Sequence, residues 1–266
     1  MGFRIAAVRA EDYDAFARLF PALEVIEPTP SREYFETSIV PGAIFLYDGE
    51  HVAGYAWGRI RGERMHVVHV IVDPAHRRKG VGGALMFAIA ERARAAGFQK
   101  WMLNVKPENL AAQALYESVG MKIAFESVSF RFAWAHLENL ELAPSATARL
   151  LEPGEEQKFE TAFSLPRGEI ASYRGFAGRI LFACEDAEEP AGVGVFDPKF
   201  PGASPFAVGD PKYARTLLTR MKNHALPSHD HLYVFAENNP ALATALANAG
   251  SPAAMHVLRM EGDIPI

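Results

Sequence analysis

Apolar and polar positions fall into a regular succession of strand and helix patterns through the first half of the chain. Residues 3–8 predict a strand, and Ala10-Glu11-Asp12 opens a helix through about Phe20, with acids in its first turn. Pro28, Pro30 and Ser31 interrupt the chain before a second helix over 32–38. Strands over 43–47 and 52–61 flank Asp48-Gly49-Glu50, a hairpin-type turn. A third apolar, β-branched run, 65–72, stops at Asp73-Pro74. An amphipathic helix over 82–96 ends at Gly97, and a strand over 100–105 leads through Pro107-Glu108-Asn109 into a helix ended by Gly120. Residues 122–133 read as a last strand. Strands and helices in this order predict a mixed α/β fold with helices on both faces of the sheet.

The pattern weakens from Ala133 to Thr147, with Pro144-Ser145 near the end. This predicts a domain over 1–133, a linker over 134–146 and a second domain over 147–266. The second domain echoes the first. Phe206-Ala-Val-Gly-Asp210-Pro211 parallels Val70-Ile-Val-Asp73-Pro74, and Asn239 and Gly250 stand as far apart as Asn109 and Gly120. Each Asn–Gly pair follows a strand and brackets an Ala/Leu-rich helix, which predicts a duplicated unit with a shorter second copy.

Composition narrows the setting. The 266 residues are 49% hydrophobic and 22% charged, enough for a sizeable core, and the net charge of -5 gives no basic field for nucleic acid. The single cysteine, Cys184, excludes an intrachain disulfide and sits on an apolar stretch as a small hydrophobe. No apolar run is long enough to cross a bilayer, no signal peptide is visible, and Gly2 lacks the Ser or Thr that myristoylation requires. A cytoplasmic protein with neither a nucleic-acid nor a membrane partner is expected.

The informative segment is Asp73-Pro-Ala-His-Arg77-Arg78-Lys79-Gly80-Val81-Gly82-Gly83-Ala84. A strand ends, a basic glycine-rich loop follows, and a helix starts inside it. Glycines admit close backbone approach and positive φ, and successive N–H groups at a helix start make a concave anion site. A pyrophosphate is the natural ligand, but the spacing matches neither the dinucleotide fingerprint nor the Walker loop.

Here the sequence resembles the GNAT superfamily of acyltransferases, over roughly residues 3–133. Arg77-Arg-Lys-Gly80-Val-Gly82 matches its Arg/Gln-x-x-Gly-x-Gly/Ala signature, and Asn109-Leu-Ala-Ala112-Gln-Ala-Leu115-Tyr116-Glu-Ser-Val-Gly120-Met matches its second. The resemblance implies acetyl-CoA as co-substrate, with the pyrophosphate on the amides of Arg78, Lys79, Gly80, Val81, Gly82, Gly83 and Ala84 and with the charges of Arg77, Arg78 and Lys79 at the rim. It implies a pantetheine arm along Val70, Ile71 and Val72, and an amide of Val70 aimed at the thioester carbonyl. Asn109 would then lie beside the pantetheine, and Tyr116 near the sulfur as the acid that protonates the leaving thiolate. His66 stands where some members carry a Glu or His that deprotonates the amine, and alternation would put it on the face of Val68, Val70 and Val72, opposite His69. Glu63, Glu108 or water are the alternatives. A thioester is an activated donor, so no metal is expected. The acceptor is an amine, on a small molecule or a peptide, selected by variable segments including residues 25–38; the oligomeric state cannot be read.

The second domain lacks this chemistry. Lys212-Tyr-Ala-Arg215 follows Asp210-Pro211 without a glycine, and Leu246 stands at the place of Tyr116. A degenerate copy that packs on the first and helps shape the acceptor cleft is expected. His229-Asp230-His231 has ligand types but no third partner, and Arg167, Glu169, Tyr173 and Arg174, in a loop-rich segment, read as surface decoration, with contact to an acceptor as the alternative. Leu110 and Ala114, with Leu115 and Val119, read as core packing. The rival to an enzyme is a non-catalytic acyl-CoA sensor; a further rival is a transferase using a longer acyl or an aminoacyl donor.

Overall fold

A computed structural model describes residues 2–24 and 28–265; of the acceptor segment 25–38, Val25, Ile26 and Glu27 lie outside the described residues. By contacts the chain divides into two units. One comprises residues up to 60, 64–123 and 260 onward, and the other residues 61–63 and 124–259.

The first unit contains β1 (Arg4–Ala7), α1 (Tyr13–Leu19), α2 (Arg32–Tyr34) running into a π turn over Phe35–Ile39, β2 (Ala43–Asp48), β3 (His51–Arg61) and β4 (Arg64–Val72). It continues with α3 (Val81–Ala95), β5 (Lys100–Val105) and α4 (Leu110–Ser118). Its strands are ordered β1-β2-β3-β4-β5. β1 and β3 run antiparallel to β2, whereas β4 and β5 are parallel. Phe16, Phe35, Phe45, Tyr55 and Ile71 form one core with α1 and the π turn. α3 packs on β2 and β4 and buries Leu85, Met86, Ile89 and Ala93. Helix ends obey local chemistry: the Asn109 side chain caps α4 by accepting from Ala112 N–H at 3.1 Å, and Gly120, at φ +87°, follows the helix.

The second unit opens with β6 (Lys122–Ala133), most of which belongs to it. Then come β7 (Ala146–Leu150), α5 (Glu156–Ala162), α6 (Glu169–Ser172), β8 (Ile180–Asp186), β9 (Glu189–Asp197) and β10 (Gly202–Val208). It closes with α7 (Ala214–Lys222), β11 (His231–Glu237), α8 (Pro240–Asn248) and β12 (Ala253–Asp263). The strand order β7-β8-β9-β10-β11 repeats that of the first unit, again with its last pair parallel. The repeat extends to details. Asp73 accepts from Ala75 N–H and Asp210 from Lys212 N–H, each at 3.0 Å, and Asn239 caps α8 as Asn109 caps α4. The fold is therefore a tandem duplication.

The domain boundaries differ from those read in the sequence. β6 pairs antiparallel with β11 through seven residues, Ser127–Ala133 against His231–Glu237, and so goes with the second unit. The end of β12 goes to the first unit, where Ile264 N–H donates to the Gln99 carbonyl at 2.8 Å. Nor is 134–146 a linker. Trp134, Leu137, Leu140 and Ala143 are buried, and the first three belong to the core that Leu217, Leu232 and Leu242 share. Their spacing of three follows from the 3-10 turn over Trp134–Asn139, in which side chains three apart eclipse.

Two further expectations are corrected. Glu169 and Tyr173 are not surface decoration. Glu169 is buried and accepts from Arg61 Nε at 2.6 Å, within a group that includes Glu237 and Arg259. Leu110 and Ala114 are exposed, because α4 turns Ala112, Leu115, Tyr116 and Val119 inward, the i, i+3, i+4, i+7 face.

Arg149 forks onto Glu155, with Nη1–Oε2 2.6 Å and Nη2–Oε1 2.8 Å, and also onto Glu185 at 2.9 Å. The fork holds the Glu155 carboxyl down at about 2, from 4.5, and the Glu152 N–H assists. A depressed acid stabilises the fold above its unfolded value and ceases to as pH falls through the folded one. Arg149→Leu is thus expected to lower thermal stability by a constant amount above pH ~5, and the gap to the parent should close between about pH 4.5 and 2. A gap independent of pH in melting curves would contradict this.

Candidate active site

The parallel pairing of β4 with β5 is confined to Arg64–His66 against Lys100–Met102 among the described residues. Beyond it the two strands separate, and a cleft of about 740 Å³ opens there. One wall is the backbone of Val70, Ile71 and Val72, and another is α4 with Ala112, Leu115 and Tyr116. The floor is the segment from Arg77 to Gly83.

That segment carries its own strain. Asp73 caps the turn Pro74–His76, then Arg78 adopts φ +59° and Gly80 φ +84° before α3 begins at Val81. The left-handed geometry costs an L-residue about 1–2 kcal/mol at Arg78, whereas Gly80 adopts it freely. Positive φ at alternate residues curls the chain into a nest, and the first amides of α3 add donors without intrahelical partners. At Gly82 a Cβ would lie 2.9 Å from Leu115 Cδ2, the end of a flexible side chain, so the glycine keeps this part of the cleft open.

Of the residues singled out in the sequence, Val70, Ile71, Val72, Arg77, Arg78, Gly80, Val81, Gly82, Gly83, Asn109 and Tyr116 line this one cleft. Lys79 is exposed and does not line it. Ala84 leaves the set of donors, because its N–H donates to the Gly80 carbonyl at 3.0 Å as the first helical bond. His66 is buried at the last paired position of β4 and is not in the lining. The face argument that tied it to Val70 lapses as well. Val68 and Ile71, an odd distance apart, pack on the same core, so strict alternation is interrupted between them. Glu63 is assigned by contacts to the second unit, whereas Glu108 lines the cleft.

Sequence reasoning missed Ala22, Leu23, Glu24 and Lys106, which also line the cleft. Lys106 Nζ donates to the Glu24 carbonyl at 2.7 Å, joining the end of β5 to the turn after α1. The contact spans 82 residues of sequence, and only Lys106, basic and just past a strand, gave a local signal.

Two of the shifted groups bear on the site. Burial pushes the Tyr116 hydroxyl up to about 12, which keeps it protonated, and hence a donor, throughout the neutral range. His69 is drawn down to about 4 by burial and then by Arg59. It packs on Phe20, Tyr55 and Trp57, with its Nδ1 3.1 Å from Tyr55 Oη, and stays neutral.

Splayed parallel strands, a basic nest at a helix start, and this element order are the architecture of the acyl-CoA-dependent acetyltransferases. Residues 9–121 match the Acetyltransferase (GNAT) family. N-acetyltransferase 8 of Homo sapiens is 36% identical over 140 residues, 45% of this chain and 61% of that protein, so under two thirds of the relative is spanned. The structure of a GCN5-related N-acetyltransferase from Sphaerobacter thermophilus superposes with a TM-score of 0.69 at 18% identity, over 99% of this chain and 96% of that one. The tandem GNAT protein from the clavulanic acid biosynthesis pathway does so with 0.64 at 15%, over 100% and 99%. At such identities the likeness is one of fold, and it extends over both copies.

In the second copy the floor is missing. The turn Pro211–Tyr213 runs directly into α7 at Ala214, where the first copy interposes Arg77–Gly80 between turn and helix. Leu246 is fully buried. No helix among the described residues is long and apolar enough to cross a membrane.

Proposed function

We propose that the protein is an N-acetyltransferase that moves an acetyl group from acetyl-CoA to an amine by direct attack on the thioester. The observation that carries this reading is the convergence of nest, separated strand edges and Tyr116 on one cleft. The nest and the amides that open α3 hold the pyrophosphate, with Arg77 and Arg78 supplying charge. The pantetheine extends along Val70–Val72, where an amide facing the carbonyl stabilises the developing oxyanion; such a donor contributes about 3 kcal/mol in the transition state. The amine nitrogen attacks the carbonyl carbon, the carbon–sulfur bond breaks, and Tyr116 delivers its proton to the departing sulfur. The amine loses its own proton to water or to Glu108, which lines the cleft where His66 does not.

The second unit, lacking a loop at the corresponding turn, binds no acyl-CoA. Calorimetry with acetyl-CoA is expected to give one site per chain, and thiol release should follow with some members of an amine panel. Two sites per chain would overturn the assignment of the second copy. Binding without thiol release from any amine would favour a sensor, and no binding would refute the cleft itself.

A further inference from the structure

Beside the start of the glycine-rich loop, and outside the cleft lining, stand two histidines and two aspartates with no part in acyl transfer. His51 opens β3, Asp48 closes β2, and Asp73 and His76 bracket the turn after β4. His51 Nε2 is 3.1 Å from Asp73 Oδ2, and His76 Nδ1 is 3.9 Å from Asp73 Oδ1. One ligand atom from each of His51, Asp73 and His76 lies within 4.8 Å of the others. We infer that these three side chains form a binding site for a divalent first-row transition metal, with Zn²⁺ the best match to two imidazoles and a carboxylate.

Three observations support the assignment. First, His76 Nδ1 is buried and has no hydrogen-bond partner, and it faces the Asp73 carboxylate from beyond hydrogen-bond reach. A lone pair left so inside a protein is costly, and a metal would satisfy it. Second, the other nitrogen of that ring, Nε2, lies 3.5 Å from Asp48 Oδ2. A metal-ligating histidine characteristically passes its second N–H to a carboxylate, which fixes the tautomer and raises the basicity of the ligand. Third, the local charge favours a cation. Among the described residues the one guanidinium paired with Asp48 or Asp73 is that of Arg18, which binds Asp73 Oδ2 at 2.7 Å and the Val52 carbonyl at 2.9 Å.

Arg18 binds Oδ2, so the metal would take a lone pair of Asp73 Oδ1, the atom nearer His76, beside the Ala75 N–H that this oxygen accepts at 3.0 Å. With Zn–N and Zn–O distances near 2.1 Å, the three ligand atoms need to draw together by about 1 Å. His51, half exposed, supplies that freedom and an entry path, and water completes the coordination on its side. The ion would fasten the start of β3 to the turn that feeds the nest. Its role is structural, and the transfer chemistry still requires no metal.

The test is a Zn²⁺ titration of the full chain, stripped with chelator, followed by calorimetry. One saturable equivalent is expected, lost in both His51→Ala and His76→Ala, and weakened about tenfold or more in Asp48→Asn. His231→Ala, in the His229-Asp230-His231 segment, should bind as the parent does. Unchanged circular dichroism of the metal-free variants separates lost ligation from misfolding, and His51→Ala, at an exposed position, keeps the test open if His76→Ala fails to fold. Absence of a saturable equivalent, or one that survives His51→Ala, would overturn the site.

Discussion

Gly82→Val is expected to lower the affinity for acetyl-CoA by at least about 100-fold, roughly 2.7 kcal/mol, while the protein stays folded. Even a methyl group at this position would approach Leu115 Cδ2 to 2.9 Å, with Val72 Cγ2 at 3.7 Å. The extra carbons of valine must either push α4 away from α3 or occupy the floor of the cleft, and both outcomes spoil the seat for a pyrophosphate. The fold should tolerate the change because the first contact is the flexible end of a leucine and not backbone. Calorimetry with acetyl-CoA, paired with circular dichroism, is the measurement. Affinity within threefold of the parent would show that the ligand does not rest on this part of the loop.

Tyr116→Phe is the second large effect. Removing a positioned general acid typically costs 10²–10⁴-fold in turnover, and a loss in that range is expected with acetyl-CoA affinity changed less than about twofold. The separation follows from burial: the ring remains to pack against the cleft wall, and only the hydroxyl is lost. Because the hydroxyl titrates near 12, the parent's turnover should show no fall between neutral pH and about pH 10 attributable to this group. Turnover unchanged in the phenylalanine variant would remove the tyrosine from the reaction.

Most elements of the first unit were legible in the sequence because their ends are chemically marked. Asn109 and Gly120 bracket α4, Gly97 follows α3, and Asp73-Pro74 ends β4, so helix and strand limits came within a residue or two. Asp210 and Asn239 made the duplication visible for the same reason: each performs the same capping bond as its counterpart. The buried segment 134–143 was hidden because a 3-10 turn has neither the period of a helix nor that of a strand. Its signal was the spacing of Trp134, Leu137 and Leu140. The floor of the cleft was legible as a motif, since local backbone geometry follows from local sequence. The wall made by Glu24 and Lys106 was not, because a contact between residues 82 apart is set by tertiary packing. His66 shows the same limit, because alternation assigns faces only while a strand stays regular.

The exchange of terminal strands bears on how the two copies can be taken apart. A fragment ending near residue 133 would carry β6 away from β11 and would lack the residues from 260 onward that complete the first unit. Neither stretch of chain, cut near residue 133, therefore carries a whole unit.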